Sequence, residues 1–183
     1  IDSWEKDSDA VYSVECSIEE RTYVPDNNFE QALIDFGYDD VLDDYVATSN
    51  IVGLTELQIV NKSISDLTGI EDFTNLVRLY CYDNLLTSLD ISKNTHLEYL
   101  HSASNQLSSL DVSANVQLKK LWLGFNDLES IDVSNNTSLE LLDCYDNLLT
   151  SLDVTNNTLL GDYLNFGNNQ ITEIDISNNP LLV

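Results

Sequence analysis

The sequence LVRLYCYDNLLTSLDISKNTH at residues 76–96 recurs three times with substitutions. The copies are LEYLHSASNQLSSLDVSANVQ (97–117), LKKLWLGFNDLESIDVSNNTS (118–138) and LELLDCYDNLLTSLDVTNNTL (139–159). Two series of asparagines recur every 21 residues, with a last step of 22: Asn84, Asn105, Asn126, Asn147 and Asn169, and Asn94, Asn115, Asn136, Asn157 and Asn179. A fixed period of this length indicates a solenoid, in which each repeat forms one coil that stacks on the next.

Apolar residues occupy five fixed positions in each repeat. Two positions begin the repeat: Leu76, Leu97, Leu118, Leu139 and Leu160, then Leu79, Leu100, Leu121, Leu142 and Leu164. Three follow the first asparagine: Leu86, Leu107, Leu128, Leu149 and Ile171; Leu89, Leu110, Ile131, Leu152 and Ile174; Ile91, Val112, Val133, Val154 and Ile176. One coil has too few apolar residues to close a core, so neighbouring coils must bury each other.

The pattern L-x-x-L-x-(C/L)-x-x-N-x-L resembles the leucine-rich repeat signature. Its continuation L-D-V-S-x-N resembles the variant common in secreted and surface proteins of Bacteroidetes, especially flavobacteria. The resemblance covers roughly residues 54–183 and implies a repeat solenoid of the α/β class that is rich in β-structure. It does not identify a ligand, because one fold supports many unrelated binding functions.

Each coil is expected to begin with a strand, such as residues 78–82, which the first asparagine ends. That side chain can bond the backbone of the turn, so the asparagines form a ladder. A second extended segment is expected near residues 89–91, and no part of the unit has room for a long helix. We therefore predict about six coils in residues 54–183, with a shallowly curved parallel sheet on the concave face and an uncapped C-terminal end.

Residues 1–53 are predicted to form an N-terminal leader and a small helical cap. The leader, residues 1–24, is polar and acidic. The segment PDNNFEQALIDFG (25–37) predicts a helix that Asp26 or Asn27 caps and Gly37 ends. A second short helical turn is expected within residues 39–46. Together these elements would cover the apolar face of the first coil.

Acidic residues dominate the composition. The chain has 32 Asp and Glu against 7 Lys and Arg, a net charge of −25. Such a surface repels nucleic acids and anionic membranes. The sequence has no apolar run of about 18 residues, so it predicts no membrane insertion. It also lacks methionine, so residue 1 is not a translation start. This predicts either that a signal peptide was removed from a secreted or cell-surface protein or that the chain was cut from a longer one.

The C-terminal end predicts a further contact. Leu182 falls at the first leucine position of another coil, and no polar cap follows it. An apolar end of this kind predicts either that the chain was cut from a longer protein or that two ends meet in an end-to-end dimer.

Residues with catalytic potential are few and badly placed. Cys81 and Cys144 share an inward position three coils apart, ~14 Å at strand spacing, too far for a disulfide. His101 and Asp143 share an outward position but lie ~10 Å apart. The sequence shows no metal-ligand spacing, phosphate loop or nucleophile–base arrangement. We therefore predict no enzymatic activity, no cofactor and no resident metal.

Two groups of aspartates leave alternatives open. Asp39, Asp40, Asp43 and Asp44 could ligate a cation or form a solvated loop. A second group recurs once per coil: Asp90, Asp111, Asp132, Asp153 and Asp175. This row could bind cations, or each carboxylate could accept local hydrogen bonds from the Ser or Thr two residues on.

The residues at the outward positions of the predicted strands differ from coil to coil, whereas those at the inward positions are nearly constant. They are rich in aromatic residues, which give binding surfaces large and rigid contact areas. The candidate ligand-binding residues are Arg78, Tyr80, Tyr82, Tyr99, His101, Lys120, Trp122, Phe125, Asp143, Tyr145, Asp146 and Tyr163. We predict a recognition or adhesion module for a protein or glycan.

Three other interpretations compete with recognition. The aromatic residues could simply pack across strands and stiffen the sheet. The chain could be a spacer or stalk of a larger surface protein, without a ligand of its own. Ice binding through a regular row of hydroxyl groups is less compatible with the sequence. Glu129 interrupts the row formed by Thr87, Ser108, Thr150 and Thr172.

Overall fold

A computed structural model describes residues 19–182, and a six-stranded parallel sheet runs along it. The strands are β3 (Glu56–Gln58), β4 (Arg78–Tyr80), β5 (Tyr99–His101), β6 (Lys120–Trp122), β7 (Leu141–Asp143) and β8 (Tyr163–Asn165). Each pairs in parallel with the strand of the next coil, so Leu79 lies beside Leu100 and Leu100 beside Leu121. The predicted parallel-sheet leucine-rich repeat solenoid is confirmed.

The core lies inside the coils. From β4 to β7 the central strand residue is fully buried and its two neighbours are half-buried. The inward positions of the second half of each coil are buried as well, from Leu86 and Ile91 to Leu149 and Val154. Burial falls in the last described coil, where Ile176 is 46% exposed. The shallow curvature of the sheet stays a prediction.

A small mixed unit precedes the coils. Strands β1 (Arg21–Tyr23) and β2 (Tyr45–Ala47) pair antiparallel, and helices α1 (Asn27–Asp35) and α2 (Thr48–Ile51) follow them in the chain. Asp26 caps α1, since its side chain accepts hydrogen bonds from the amides of Asn28 and Phe29. Gly37 ends the helix region in a left-handed conformation, with φ +78°. The leader interpretation falls mostly on residues 1–18, outside the described residues.

The expected helical turn within residues 39–46 is wrong. That segment bends and then forms β2, whose central residue Val46 is fully buried opposite Thr22. Glu30 explains the bend, because its buried Oε1 accepts hydrogen bonds from the amides of Asp43 and Tyr45. These bonds hold the backbone in a conformation that is not helical, and α2 forms only afterwards.

The N-terminal unit packs onto the first coil. The ring of Phe29 stacks against that of Phe73 at 6.1 Å between centroids, and both side chains are fully buried. Asp26 Oδ2 accepts hydrogen bonds from the amide and hydroxyl of Ser65. Gly69, with φ +102°, lets the chains approach closely, because a Cβ there would lie 2.7 Å from the carbonyl oxygen of Tyr23. That this unit acts as the stabilising cap of the solenoid stays a prediction.

Cys81 and Cys144 are both buried free thiols. Burial raises the pKa of each to about 12, so neither forms a thiolate near neutral pH. Both act as small apolar residues in the core. Cys16 lies outside the described residues.

Candidate functional site on the outer face of the sheet

The candidate residues lie on one surface, which we call the sheet face. Parallel strands of three residues point their first and third side chains outward. Arg78, Tyr80, Tyr99, His101, Lys120, Trp122, Asp143 and Tyr163 occupy such positions on β4 to β8. Tyr82, Tyr145, Phe125 and Asp146 follow in the turns after the strands. Inward leucines therefore fix the outward residues one strand spacing apart along the solenoid.

Three aromatic rings on the sheet face form a continuous stack across three coils. The Tyr82 and His101 rings are stacked with centroids 4.2 Å apart, and the His101 and Trp122 rings are 5.3 Å apart at 36°. Burial lowers the pKa of His101, although the carboxylates of Asp143 and Asp83 oppose this shift. The imidazole is therefore neutral at neutral pH, and the stack presents an uncharged, rigid surface.

A second aromatic pair lies at the turn that follows β6 and β7. The rings of Phe125 and Tyr145 meet edge to face, with centroids 5.3 Å apart. The amide nitrogen of Asn168 donates a hydrogen bond of 2.7 Å to the Tyr145 hydroxyl. Tyr145 is thus held on both sides, while Phe125 is 54% exposed.

The two cations of the sheet face both have acidic partners. Arg78 pairs with Glu56 at 3.4 Å, and its guanidinium also lies 5.3 Å from the ring centre of Tyr99. Lys120 pairs with Asp162 at 2.9 Å. Such exposed pairs contribute little to stability, and each places a carboxylate beside the cation.

Tyr80 and Tyr163 stand apart from both aromatic groups. Tyr80 is half-buried on β4, and Tyr163 is 47% exposed on the last strand. The Tyr163 hydroxyl accepts a hydrogen bond from Asn165. Asp143 turns toward its own strand end, where Oδ1 accepts a hydrogen bond from the amide of Tyr145. The structure thus gathers five of the aromatic candidates into two groups.

The first asparagine row holds the turns beside the sheet face. Asn126 is representative: its Oδ1 accepts a bond from the amide of Leu107, and its Nδ2 donates to the carbonyls of Ser102 and Leu123. Each asparagine of the row joins its own coil to the preceding one in this manner. The predicted ladder therefore fixes the spacing at which the outward side chains are presented.

The second asparagine row differs from the first in its oxygen atoms. Each Nδ2 donates to carbonyls of the preceding coil, as Asn136 does to Val112 and Asn115. The Oδ1 atoms of the whole row are buried and accept no hydrogen bond from any residue between 19 and 182. The side chains of this row therefore donate hydrogen bonds to carbonyls and do not accept any from backbone amides in the described part of the chain.

The residue before each ladder asparagine, and before Lys62 at the equivalent position of the first coil, adopts a left-handed backbone, a feature that we did not predict from the sequence. Positive φ values of 53–57° recur at Asn61, Asp83, Ser104, Phe125, Asp146 and Asn168. Five of these are small polar residues, the types that tolerate this conformation. Phe125 is the exception, and its contrast with the rest of the row is a signal already visible in the sequence.

The aspartate row on the second half of the coils makes the local hydrogen bonds that we considered. The Oδ1 atoms of Asp90, Asp111, Asp132, Asp153 and Asp175 accept bonds of 2.8–2.9 Å from the amide two residues on. Within residues 19–182, no three His, Cys, Asp or Glu side chains are placed to hold a metal ion together. The observed bonds fit the local interpretation of the row.

These hydrogen bonds predict an acid dependence of stability. Hydrogen bonds from the hydroxyls and amides of Ser113 and Ser134 lower the pKa of Asp111 and Asp132, respectively, below the ordinary 3.8. The unfolded chain therefore takes up protons first, and the free energy of unfolding falls as the pH drops below 3.8. An Asp111→Asn/Asp132→Asn variant keeps both acceptors but not the titration, so its stability should fall less steeply. Denaturant unfolding between about pH 5 and pH 2 measures both slopes, and parallel curves would contradict the prediction.

The acidic cluster at residues 39–44 is partly neutralised. Arg21 Nη2 donates to both carboxylate oxygens of Asp43 at 2.9 Å. Burial raises the pKa of Asp39, and the neighbouring carboxylates of Asp40 and Asp43 add to that rise. The cluster therefore belongs to the contacts of the N-terminal unit.

Comparison with known proteins identifies the repeats and leaves the ligand open. No family model matches the chain. A 73-residue part is 39% identical to internalin J of Listeria monocytogenes serotype 4b (strain F2365), covering 40% of this chain and 8% of internalin J. Within residues 19–182, no helix is long and apolar enough to cross a membrane.

Solved structures extend the similarity over most of the chain. The functional domain of internalin J, described as including a cysteine ladder, is 36% identical with a TM-score of 0.80, over 89% of this chain and 37% of that domain. An internalin (inlF) of the same species superposes with a TM-score of 0.81 at 22% identity, over 87% and 48% of the two chains. A leucine-rich repeat protein of Leptospira interrogans gives 0.59 at 26% identity, over 64% and 32%.

The chain spans less than half of each of these relatives. Its assignment to the Bacteroidetes variant stays a prediction. The repeats and the parallel sheet give this chain the fold of a leucine-rich repeat solenoid, and its sequence is similar to that of internalin J.

Proposed function

We propose that the protein is a non-catalytic recognition or adhesion module, secreted or attached to a cell surface, that binds a protein or glycan through its sheet face. The observation that carries this proposal is the aromatic stack of Tyr82, His101 and Trp122. Rigid half-exposed rings with polar edges provide contact area at low conformational cost, as binding surfaces require.

Internalin-like repeats support a protein as the partner class. Leucine-rich repeat domains generally serve as protein-interaction modules, and internalin J is similar over most of this chain. A glycan stays the second candidate, because tyrosine and tryptophan rings can stack on sugar faces. The net charge of −25 disfavours nucleic acid and anionic membranes as partners. End-to-end dimerisation through the last coil is a separate proposal.

A double substitution tests the proposal. Tyr80→Ala/Trp122→Ala removes two outward rings and leaves the inward leucines in place. The variant and the wild type would be presented to a glycan array and used to capture proteins from a cell-surface extract. We expect at least a ~10-fold loss of affinity for any ligand that the wild type selects, the level at which a binding hot spot is recognised.

The control removes exposed apolar side chains elsewhere. Val116 and Leu159 are 52% and 47% exposed, and both lie outside the strands. A Val116→Ala/Leu159→Ala variant should bind as the wild type does. Equal binding by the aromatic variant would remove the sheet face from consideration. A wild type that selects no ligand would support the rival function, a spacer of a larger surface protein.

A further inference from the structure

Phe125 occupies a backbone position that does not suit it. Its φ is +57°, in the left-handed region that bulky L-residues rarely adopt. The equivalent residues in the neighbouring coils are Ser104 and Asp146, whose small polar side chains tolerate the same conformation. The solenoid geometry imposes this backbone on every coil, so an aromatic residue here works against folding.

The contacts of the Phe125 side chain compensate little of the free energy that this backbone conformation costs. It is 54% exposed, so more than half of its surface stays in water. Among the described residues its one aromatic neighbour is Tyr145, which it meets edge to face. Tyr145 does not depend on that contact for its position, since its hydroxyl is already hydrogen-bonded by Asn168. Folding alone therefore gives no reason for a phenylalanine at this position.

Strained and exposed residues of this kind are characteristic of functional sites. We propose that Phe125 and Tyr145 form the anchor of the sheet face, where an apolar side chain of a positively charged protein segment docks. This inference rests on the proposed function and specifies the chemistry of the partner.

The charges around the anchor determine the sign of the charge that the partner must carry. Asp146 is exposed in the next coil of the same row, and Asp127 is exposed two residues after Phe125. The cations Arg78 and Lys120 are already paired with acids. A net charge of −25 attracts a basic segment and repels a second copy of this chain. The occupant is therefore a basic segment that carries an exposed apolar or aromatic residue.

Phe125→Asn separates folding from binding. Asparagine is the residue found at the same position in the first and last coils, at Asn61 and Asn168. We expect the melting temperature to rise by about 2–4 °C, because backbone strain is relieved. Ser104→Asn exchanges one small polar residue for another in the preceding coil and should leave melting and binding unchanged. Phe125→Tyr keeps the ring and should keep binding.

The probes are two synthetic peptides at low ionic strength, one with lysines flanking a central tryptophan and one with alanine in place of the tryptophan. The wild type should bind the tryptophan peptide at least ~10-fold more tightly than the alanine peptide. Phe125→Asn should abolish that difference. A lower melting temperature for this variant, or a tryptophan preference that survives in it, would overturn the proposal.

The remaining outcomes separate the anchor from the wider proposal. If Tyr80→Ala/Trp122→Ala removes the preference and Phe125→Asn does not, the sheet face binds but the anchor is wrong. If neither variant changes binding, both proposals fail. Glycan binding that depends on Phe125, without a tryptophan preference, would refute a basic protein segment as the partner.

Discussion

Leu121→Ala should destabilise the protein by about 2–5 kcal/mol, the usual cost of truncating a fully buried leucine. Leu121 is 0% exposed at the centre of β6, and its strand neighbours are Leu100 and Leu142. The side chain contributes to the interfaces with both adjacent coils, so its loss leaves a cavity that the rigid strand spacing cannot close. The free energy of unfolding from denaturant titration measures this effect.

Leu85→Ala is the matched control for that experiment. Leu85 is 47% exposed and lies after the ladder asparagine of its coil. Its truncation should change the free energy of unfolding by no more than about 0.5 kcal/mol. Similar losses for the two variants would mean that the inward leucine rows do not hold the coils together.

Asn126→Ala should cost about 1–3 kcal/mol, because it leaves buried backbone groups of two coils without partners. Asn126 is 7% exposed, and it serves the amide of Leu107 and the carbonyls of Ser102 and Leu123. Thermal and denaturant unfolding of the variant measure the loss.

Substitutions of two other asparagines provide reference values for the effect of Asn126→Ala. Asn135→Ala removes an exposed amide and should be neutral within about 0.5 kcal/mol. Asn136→Ala should cost less than Asn126→Ala, because Asn136 serves two carbonyls and its Oδ1 has no protein partner. An Asn126 variant as stable as the wild type would contradict a structural role for the ladder.

Most of the fold could be predicted from the period of the sequence repeats. Leucines such as Leu79 and Leu100 recur every 21 residues, and a strand sends alternate side chains to opposite sides. The inward-facing and outward-facing residues could therefore be assigned from their positions within each repeat. The N-terminal unit has no such repetition, because the pairing of residues 21–23 with 45–47 joins two three-residue strands without an internal pattern. Propensity alone then predicted a helical turn where Val46 is in a strand.

The candidate site was predictable in location but not in its internal contacts. The sequence placed Tyr82, His101 and Trp122 on one face, since all three lie at outward positions. Whether those rings touch depends on side-chain torsion angles, which no spacing determines. The backbone strain at Phe125 likewise depends on the turn geometry that Asn126 fixes, although the lone aromatic in a row of small polar residues marked the position.

The most direct test compares two neighbours on one strand, the inward Leu121 and the outward Trp122. We predict that Trp122→Ala lowers the free energy of unfolding by only about 0.5–1.5 kcal/mol, the contribution of an aromatic pair, well below the effect of Leu121→Ala. A loss for Trp122→Ala as large as that for Leu121→Ala would show that the aromatic rings hold the sheet together, and it would contradict a face kept free for a partner.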